Sequence, residues 1–425
     1  MSRRQLAVLI LAVAGLTACG RATSTQPAAG GYRLFLEGGF SNSGETVKVV
    51  DSGTGAVERE LPIGTANFNW SRYYTVTPVN GNGRLSAIDP ASGRTIAQTT
   101  IPAGYALPNL GYQGPTAGLS PNGQWLALTD NGRATTGKLV TSLLVGASSL
   151  SGSFKTVRLD GAFSFDAISN DGQSLYLIQQ MGDPNHYQVR LYQIGPDGAG
   201  LVTQPVVDKR ESTEPMNGIR GDSVADPNGK YVYTVYARDA GPFIHALPLD
   251  QQFAWCVDLP SKTTTNLEQQ FGWSLAISPN GLTVYAANAS LGTIDVMRAG
   301  EPPVIAQIAP VAMNPGGGLL AGLVTNAEAK GPRIGGAALS SDGRTLFTFG
   351  PTGVLAVDTT TLKVRARFLE PWQPDTMRLS SDGKWLYVAE SSESKLWQVD
   401  PITGASAEVK GFTNPWALLW AAPKN

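Results

Sequence analysis

Side chains able to do acid–base or recognition chemistry are sparse in this 425-residue chain, and their spacing carries more information than their number. Six glycines close a recurrent short turn: Gly123, Gly172, Gly229, Gly281, Gly343 and Gly383. Counting back from each, Thr116, Asp166, Asp222, Ser223, Trp273, Asp375 and Thr376 fall six to eight residues ahead, with Arg220 and Arg333 slightly earlier. Residues at one offset of a repeat occupy equivalent places in the fold. Carboxylates, guanidinium groups and an indole gathered in this way could bind a polar ligand or a partner's loop. The competing reading is that they satisfy backbone groups at strand starts or are simply solvated.

No catalytic set assembles from the remainder. A bound zinc needs three or four His, Cys or carboxylate ligands, and His186 and His245 are the only histidines. His186 follows the turn Gly182-Asp-Pro-Asn185 and reads as an exposed loop residue. There is no Cys-x-x-Cys-His for haem and no Gly-x-Ser-x-Gly nucleophile elbow. The glycine-rich Asn314–Gly322 stretch, inside a long insertion from Ala309 to Arg333, has neither the P-loop Lys-Ser/Thr nor a dinucleotide spacing. Arg220-Gly-Asp-Ser223 spells an adhesion tetrapeptide, but a strand start explains its Gly and Asp. Turns such as Asp226-Pro-Asn-Gly229 lack the late Glu of a calcium loop. The sequence therefore predicts no metal, no cofactor and no assigned catalytic residue.

The elements that must position these residues are written as repeats. Leu119-Ser-Pro-Asn-Gly123, Ile168-Ser-Asn-Asp-Gly172, Ala225-Asp-Pro-Asn-Gly229, Ile277-Ser-Pro-Asn-Gly281, Leu339-Ser-Ser-Asp-Gly343 and Leu379-Ser-Ser-Asp-Gly383 are each followed by an alternating apolar run, such as Tyr231-Val-Tyr-Thr-Val235. Asn-Gly and Asp-Gly suit tight turns, and period-2 aromatic and β-branched residues suit strands, so each unit is a hairpin. A second phrase, at Val50-Asp51, Ile88-Asp89, Val357-Asp358 and Val399-Asp400, ends a strand in an aspartate turn. Units of 40–62 residues built this way point to propeller blades.

Seven units begin near Asn67, Thr116, Phe163, Asp222, Phe271, Ile334 and Asp375. Arg33–Leu36 with Val47–Val50 lacks an inner strand, and Pro415–Trp420 has no hairpin after it. Paired, they make an eighth blade that closes the ring and leaves no free edge. Seven blades is the alternative, because the Asn67–Ile101 unit is degenerate. The fold expected is an all-β propeller of four-stranded blades over residues 32–425. The repeats resemble those of bacterial YVTN-type and WD40-like β-propellers, although the Trp-Asp of true WD40 blades and the regular Trp of quinoprotein repeats are missing. The resemblance implies a scaffold, a binder or, as in related lactonases, a hydrolase; in that last case Asp166, Asp222, Asp375 and a nearby arginine would form a carboxylate-rich site over the channel.

The first residues specify location. Arg3 and Arg4 precede an uncharged apolar stretch, Leu6–Leu16, too short to span a membrane, and small residues end it. Leu16-Thr-Ala-Cys19 resembles the lipobox of bacterial lipoproteins. That resemblance implies a signal peptide over residues 1–18, acylation at Cys19, and residues 19–31 as a flexible tether. Several acyl chains would hold the protein firmly at the cell envelope, on the outside of the cytoplasmic membrane or in the outer membrane. Cys256, the only other cysteine, is left without a disulfide partner and reads as a small hydrophobe in the strand Phe253–Asp258. With 32 basic and 33 acidic residues and only 15% charged, the chain lacks the basic face of a nucleic-acid binder. The expectation is a lipid-anchored scaffold that binds a protein or polymer partner through its channel face, by Asp166, Arg220, Asp222, Trp273, Arg333 and Asp375. The alternative is an envelope hydrolase.

Overall fold

A computed structural model describes residues 30–38, 46–109, 117–130, 140–182, 186–195, 200–210, 216–260, 267–311, 336–350, 353–390, 393–411 and 415–424. Cys19, its flanking segments, Thr116, the glycine-rich stretch and Arg333 lie outside the described residues. The described chain is an eight-bladed β-propeller, every blade an antiparallel meander. Blade 1 takes its inner strand, Pro415–Pro423, from the C-terminal end and its other three, Tyr32–Gly38, Thr46–Asp51 and Val57–Pro62, from the N-terminal end. Blades 2 to 8 follow in chain order. Their inner strands are Gly64–Ala66, Tyr105–Ala106, Phe163–Ile168, Ile219–Ala225, Ser274–Ile277, Ala337–Leu339 and Thr376–Leu379. Blade 5 adds a short parallel strand, Val207–Asp208, on its outer edge.

The repeated turn phrase forms one hydrogen-bonded device. In blade 3, Ser120 Oγ donates to Asn122 Oδ1 at 2.7 Å and accepts the Trp125 amide at 3.0 Å. Blades 4, 6, 7 and 8 repeat it with Ser169, Ser278, Ser340 and Ser380. The closing glycines all take φ between 66° and 72°, a region that side chains with a Cβ resist. Room is short as well. A Cβ on Gly172 would stand 2.2 Å from the Trp125 ring of blade 3, and one on Gly229 would stand 2.1 Å from Asn170 of blade 4. Each turn thus sits on the turn of the preceding blade, and these contacts girdle one mouth of the channel.

The aspartate turns behave alike. Asp51 Oδ1 accepts the Gly53 and Thr54 amides, and Asp400 Oδ1 those of Ile402 and Thr403. Apolar clusters fill the seams between blades, for example Tyr176, Val189 and Leu191 of blade 4 against Tyr236, Phe243 and Leu247 of blade 5.

Candidate functional site: charged residues on the inner strands

Inner strands line the central channel, so a polar side chain on one of them either faces the channel or must be satisfied within a seam. Asp166 and Arg220, on neighbouring blades 4 and 5, are brought together. The Arg220 guanidinium donates to Asp166 Oδ1 at 2.5 Å, with only 13% and 4% of the two side chains exposed. Burial opposes the charge of Arg220, but Asp166 overcomes this, and the guanidinium is held more firmly protonated than usual.

A β-bulge presents each acid. Asp166 is the extra residue between Phe165 and Ala167, which pair with Leu177 and Tyr176. Gly221 and Asp222 together oppose one residue between Arg220 and Ser223. Bulges turn side chains out of the regular alternation. On these two inner strands they present carboxylates where a regular strand would continue its ladder.

Asp222 is fastened to its surroundings by backbone donors. Oδ1 accepts the Ser223 amide at 2.9 Å, and Oδ2 accepts the Leu275 amide of blade 6 at 2.8 Å. Its counter-charge is Arg378, on the inner strand of blade 8, three blades further round the ring. Arg378 donates through Nε to the Leu419 carbonyl of blade 1 and through a terminal nitrogen to the Met377 carbonyl, each at 3.3 Å. Asp222 and Arg378 feel each other's charge without closing into an ion pair. Both are partly exposed, as side chains of inner strands that face the channel would be. Burial raises the Asp222 carboxyl above the ordinary range despite the Leu275 amide and Arg378, and burial lowers Arg378 despite Asp222.

The other expected residues lie elsewhere. Trp273 is 1% exposed and packs with Val235, Ile244 and Leu259 in the seam between blades 5 and 6. It therefore presents no indole at the channel surface, which corrects its assignment as a binding residue. Asp375 stands just before the inner strand of blade 8, partly exposed, with its amide on the Ala389 carbonyl at 2.9 Å. His186 is exposed, as expected, but opens a strand, pairing with Asn217, where a loop was expected. His245 is 2% exposed on the third strand of blade 5, and burial lowers its pKa to about 4, so it is neutral. Cys256 is half-buried opposite it. Sequence reasoning missed Arg378: it lies five residues before Gly383, outside the offset window, although it is the only arginine on its strand. Among the described residues no three His, Cys, Asp or Glu side chains converge as metal ligands.

No family model matches the chain, and no curated protein matches it. Solved structures do. AztD from Citrobacter koseri, in its apo form, superposes with a TM-score of 0.54 at 12% identity, over 92% of this chain and 97% of that one. The dihydro-heme d1 dehydrogenase NirN, in complex with DHE, superposes with a TM-score of 0.53 at 12% identity, over 91% of this chain and 73% of that one. At such identities the likeness is one of architecture. The chain is a β-propeller by its own topology and by the structures it resembles.

Proposed function

We propose that the protein is an exported, lipid-anchored binding module of the bacterial cell envelope that takes a ligand or a partner's loop into its channel, between Asp222 and Arg378. One observation carries the reading: two opposite charges, each fixed by backbone hydrogen bonds and three blades apart, influence each other without forming an ion pair. Bringing charges into a low-dielectric throat costs free energy that an ion pair would partly recover. An occupant with an anionic group toward Arg378 and a donor or cationic group toward Asp222 would recover it here. Asp166 and Arg220 compensate each other and would serve as a fixed wall. The lipobox-like Leu16–Cys19 supports the envelope location.

The raised Asp222 carboxyl favours a second reading, an envelope hydrolase, because a carboxylic acid protonated above its usual range can donate a proton to a leaving group. Two assays separate the readings. A binding module recovers a partner when the detergent-solubilised, full-length protein is pulled down from its membranes, and Arg378→Met loses that partner. A hydrolase turns over simple sugar lactones, and Asp222→Asn abolishes the turnover. Recovery of the protein alone, with lactone hydrolysis that depends on Asp222, would replace the first reading by the second.

A further inference from the structure

We propose that one face of the propeller, the one bearing the repeated turns, rests directly on a lipid bilayer with net-neutral headgroups, so that the opposite channel mouth points away from the membrane. The proposal rests on the anchor reading above but goes beyond it, because an acylated tether alone would not orient the molecule.

The inner strands of blades 4, 6, 7 and 8 run into their Ser-x-x-Gly turns and that of blade 5 into Asp226-Pro-Asn-Gly229, and in a meander the aspartate turns between third and fourth strands fall on the same face. The N-terminal end of the described chain is on that face too. Tyr32 pairs with Pro423 at the finishing end of the blade 1 inner strand, and its hydroxyl donates to Asp382, in the blade 8 turn, at 2.9 Å. The Tyr32 carbonyl accepts the Ser52 amide at 3.0 Å, and the Gly31 carbonyl accepts the Lys424 amide at 2.7 Å. The chain from Cys19 therefore reaches the fold at the turn-bearing face. The twelve residues Gly20–Gly31 span at most about 40 Å.

Among the described residues the four most exposed large apolar side chains are Ile402 at 88%, Phe68 at 85%, Leu282 at 60% and Val57 at 49%. Single exposed apolar residues are ordinary on a soluble surface. These four share one face: Ile402, Phe68 and Leu282 in turns of blades 8, 2 and 6, and Val57 at the start of the blade 1 outer strand, just after its aspartate turn. Met181 and Ile219, at 45% and 44%, lie at the other face. Two residues beyond Phe68, Trp70 stacks on Trp420 with ring centroids 5.8 Å apart and planes 8° apart, and indoles favour the boundary between apolar and hydrated layers. In the blade 1 and blade 8 turns, backbone donors are satisfied internally by Asp51 and Asp400, which lowers the cost of lying against lipid headgroups there. Acidic groups such as Asp89, Asp342, Asp358 and Asp382 alternate with Arg94, Arg344, Lys363 and Lys384, so the face has no basic excess to select anionic lipid.

The test uses the full-length, acylated protein bearing Cys256→Ala, with an environment-sensitive NBD dye on single introduced cysteines. The positions are Phe68→Cys, Leu282→Cys, Ile402→Cys and, on the opposite face, Met181→Cys. On phosphatidylcholine vesicles the first three should brighten at least threefold and shift to the blue, while Met181→Cys stays unchanged. Adding phosphatidylglycerol should not increase the response. No change at the three turn positions, an equal change at Met181→Cys, or a response that requires anionic lipid would overturn the proposal. The mass of the Cys19 peptide tests the anchor separately. An unacylated Cys19 removes the anchor reading, and the dye response to added vesicles still decides the face.

Discussion

Asp222 and His245 titrate in opposite senses for one reason, the removal of solvent from a charged form, and each leaves its own mark on stability. A carboxyl whose folded pKa exceeds its unfolded value binds more protons in the native state, so stability falls as pH rises from the ordinary carboxylate value to the raised one. Asp222→Asn removes that loss, and its urea midpoint at pH 7 should match or exceed that of the wild type; a clear drop would show the carboxylate to be stabilising. His245 runs the other way. Its pKa falls from 6.5 to about 4, so the unfolded chain takes up the proton first and stability falls as pH drops from 6.5 to 4. The loss amounts to ~3 kcal/mol at most, and His245→Leu should flatten the urea midpoint across that window. At this scale the turn offset made Asp166, Arg220 and Asp222 visible in the sequence, because repeats place equal offsets at equal heights. It could not sort Trp273 from them. Adjacent strand residues face opposite ways, so a window of three offsets mixes channel-facing with seam-facing side chains. The partnership of Asp222 with Arg378 was not legible either, since it depends on how the ring brings non-adjacent blades together.

Turns are the elements that the sequence states most plainly. Their Ser, Asn, Asp and Gly residues form local hydrogen bonds that need no knowledge of the ring. The structure adds the contact of each turn with the blade before it, and this separates two glycines of similar conformation. Gly81 has φ 77° and open space around it, so Gly81→Ala should cost about 1 kcal/mol, the penalty for a left-handed residue with a Cβ. Gly172 has φ 70° and Trp125 in the way, so Gly172→Ala should cost at least about twice as much, because overpacking adds to the backbone penalty. Equal losses in urea titration would mean that the turns do not bear on one another. Blade 2 explains why seven blades was a fair alternative. Its inner strand is only Gly64–Ala66, and the Asn67–Arg72 loop replaces the usual turn phrase with Trp70 at φ 53°. The Asp358 turn departs similarly, since Leu362 at φ 54° stands where the other aspartate turns use glycine.

Closure governs the whole molecule. The C-terminal strand supplies the inner position of blade 1, and Lys424 pairs with Asp51 and, at 2.6 Å, with Glu58 of that blade. Removing residues 415–425 would uncover the edge of Tyr32–Gly38 and the flank of blade 8, and the truncated chain should be recovered as aggregate while the full chain stays monodisperse in size-exclusion chromatography. This pairing of the two chain ends was readable in the sequence as two incomplete units. Which charges come under each other's influence was not, because eight similar blades leave the sequence silent about which inner-strand side chains approach across the ring. The account stands or falls on the gap between Asp222 and Arg378. Its most direct measurement is isothermal titration of the full-length protein with a panel of small zwitterions (free amino acids and dipeptides), repeated on Arg378→Met and Asp222→Asn. Saturable binding by at least one class, weakened tenfold or more by either substitution, is the predicted result. No heat from any class, or binding that both substitutions leave intact, would contradict it.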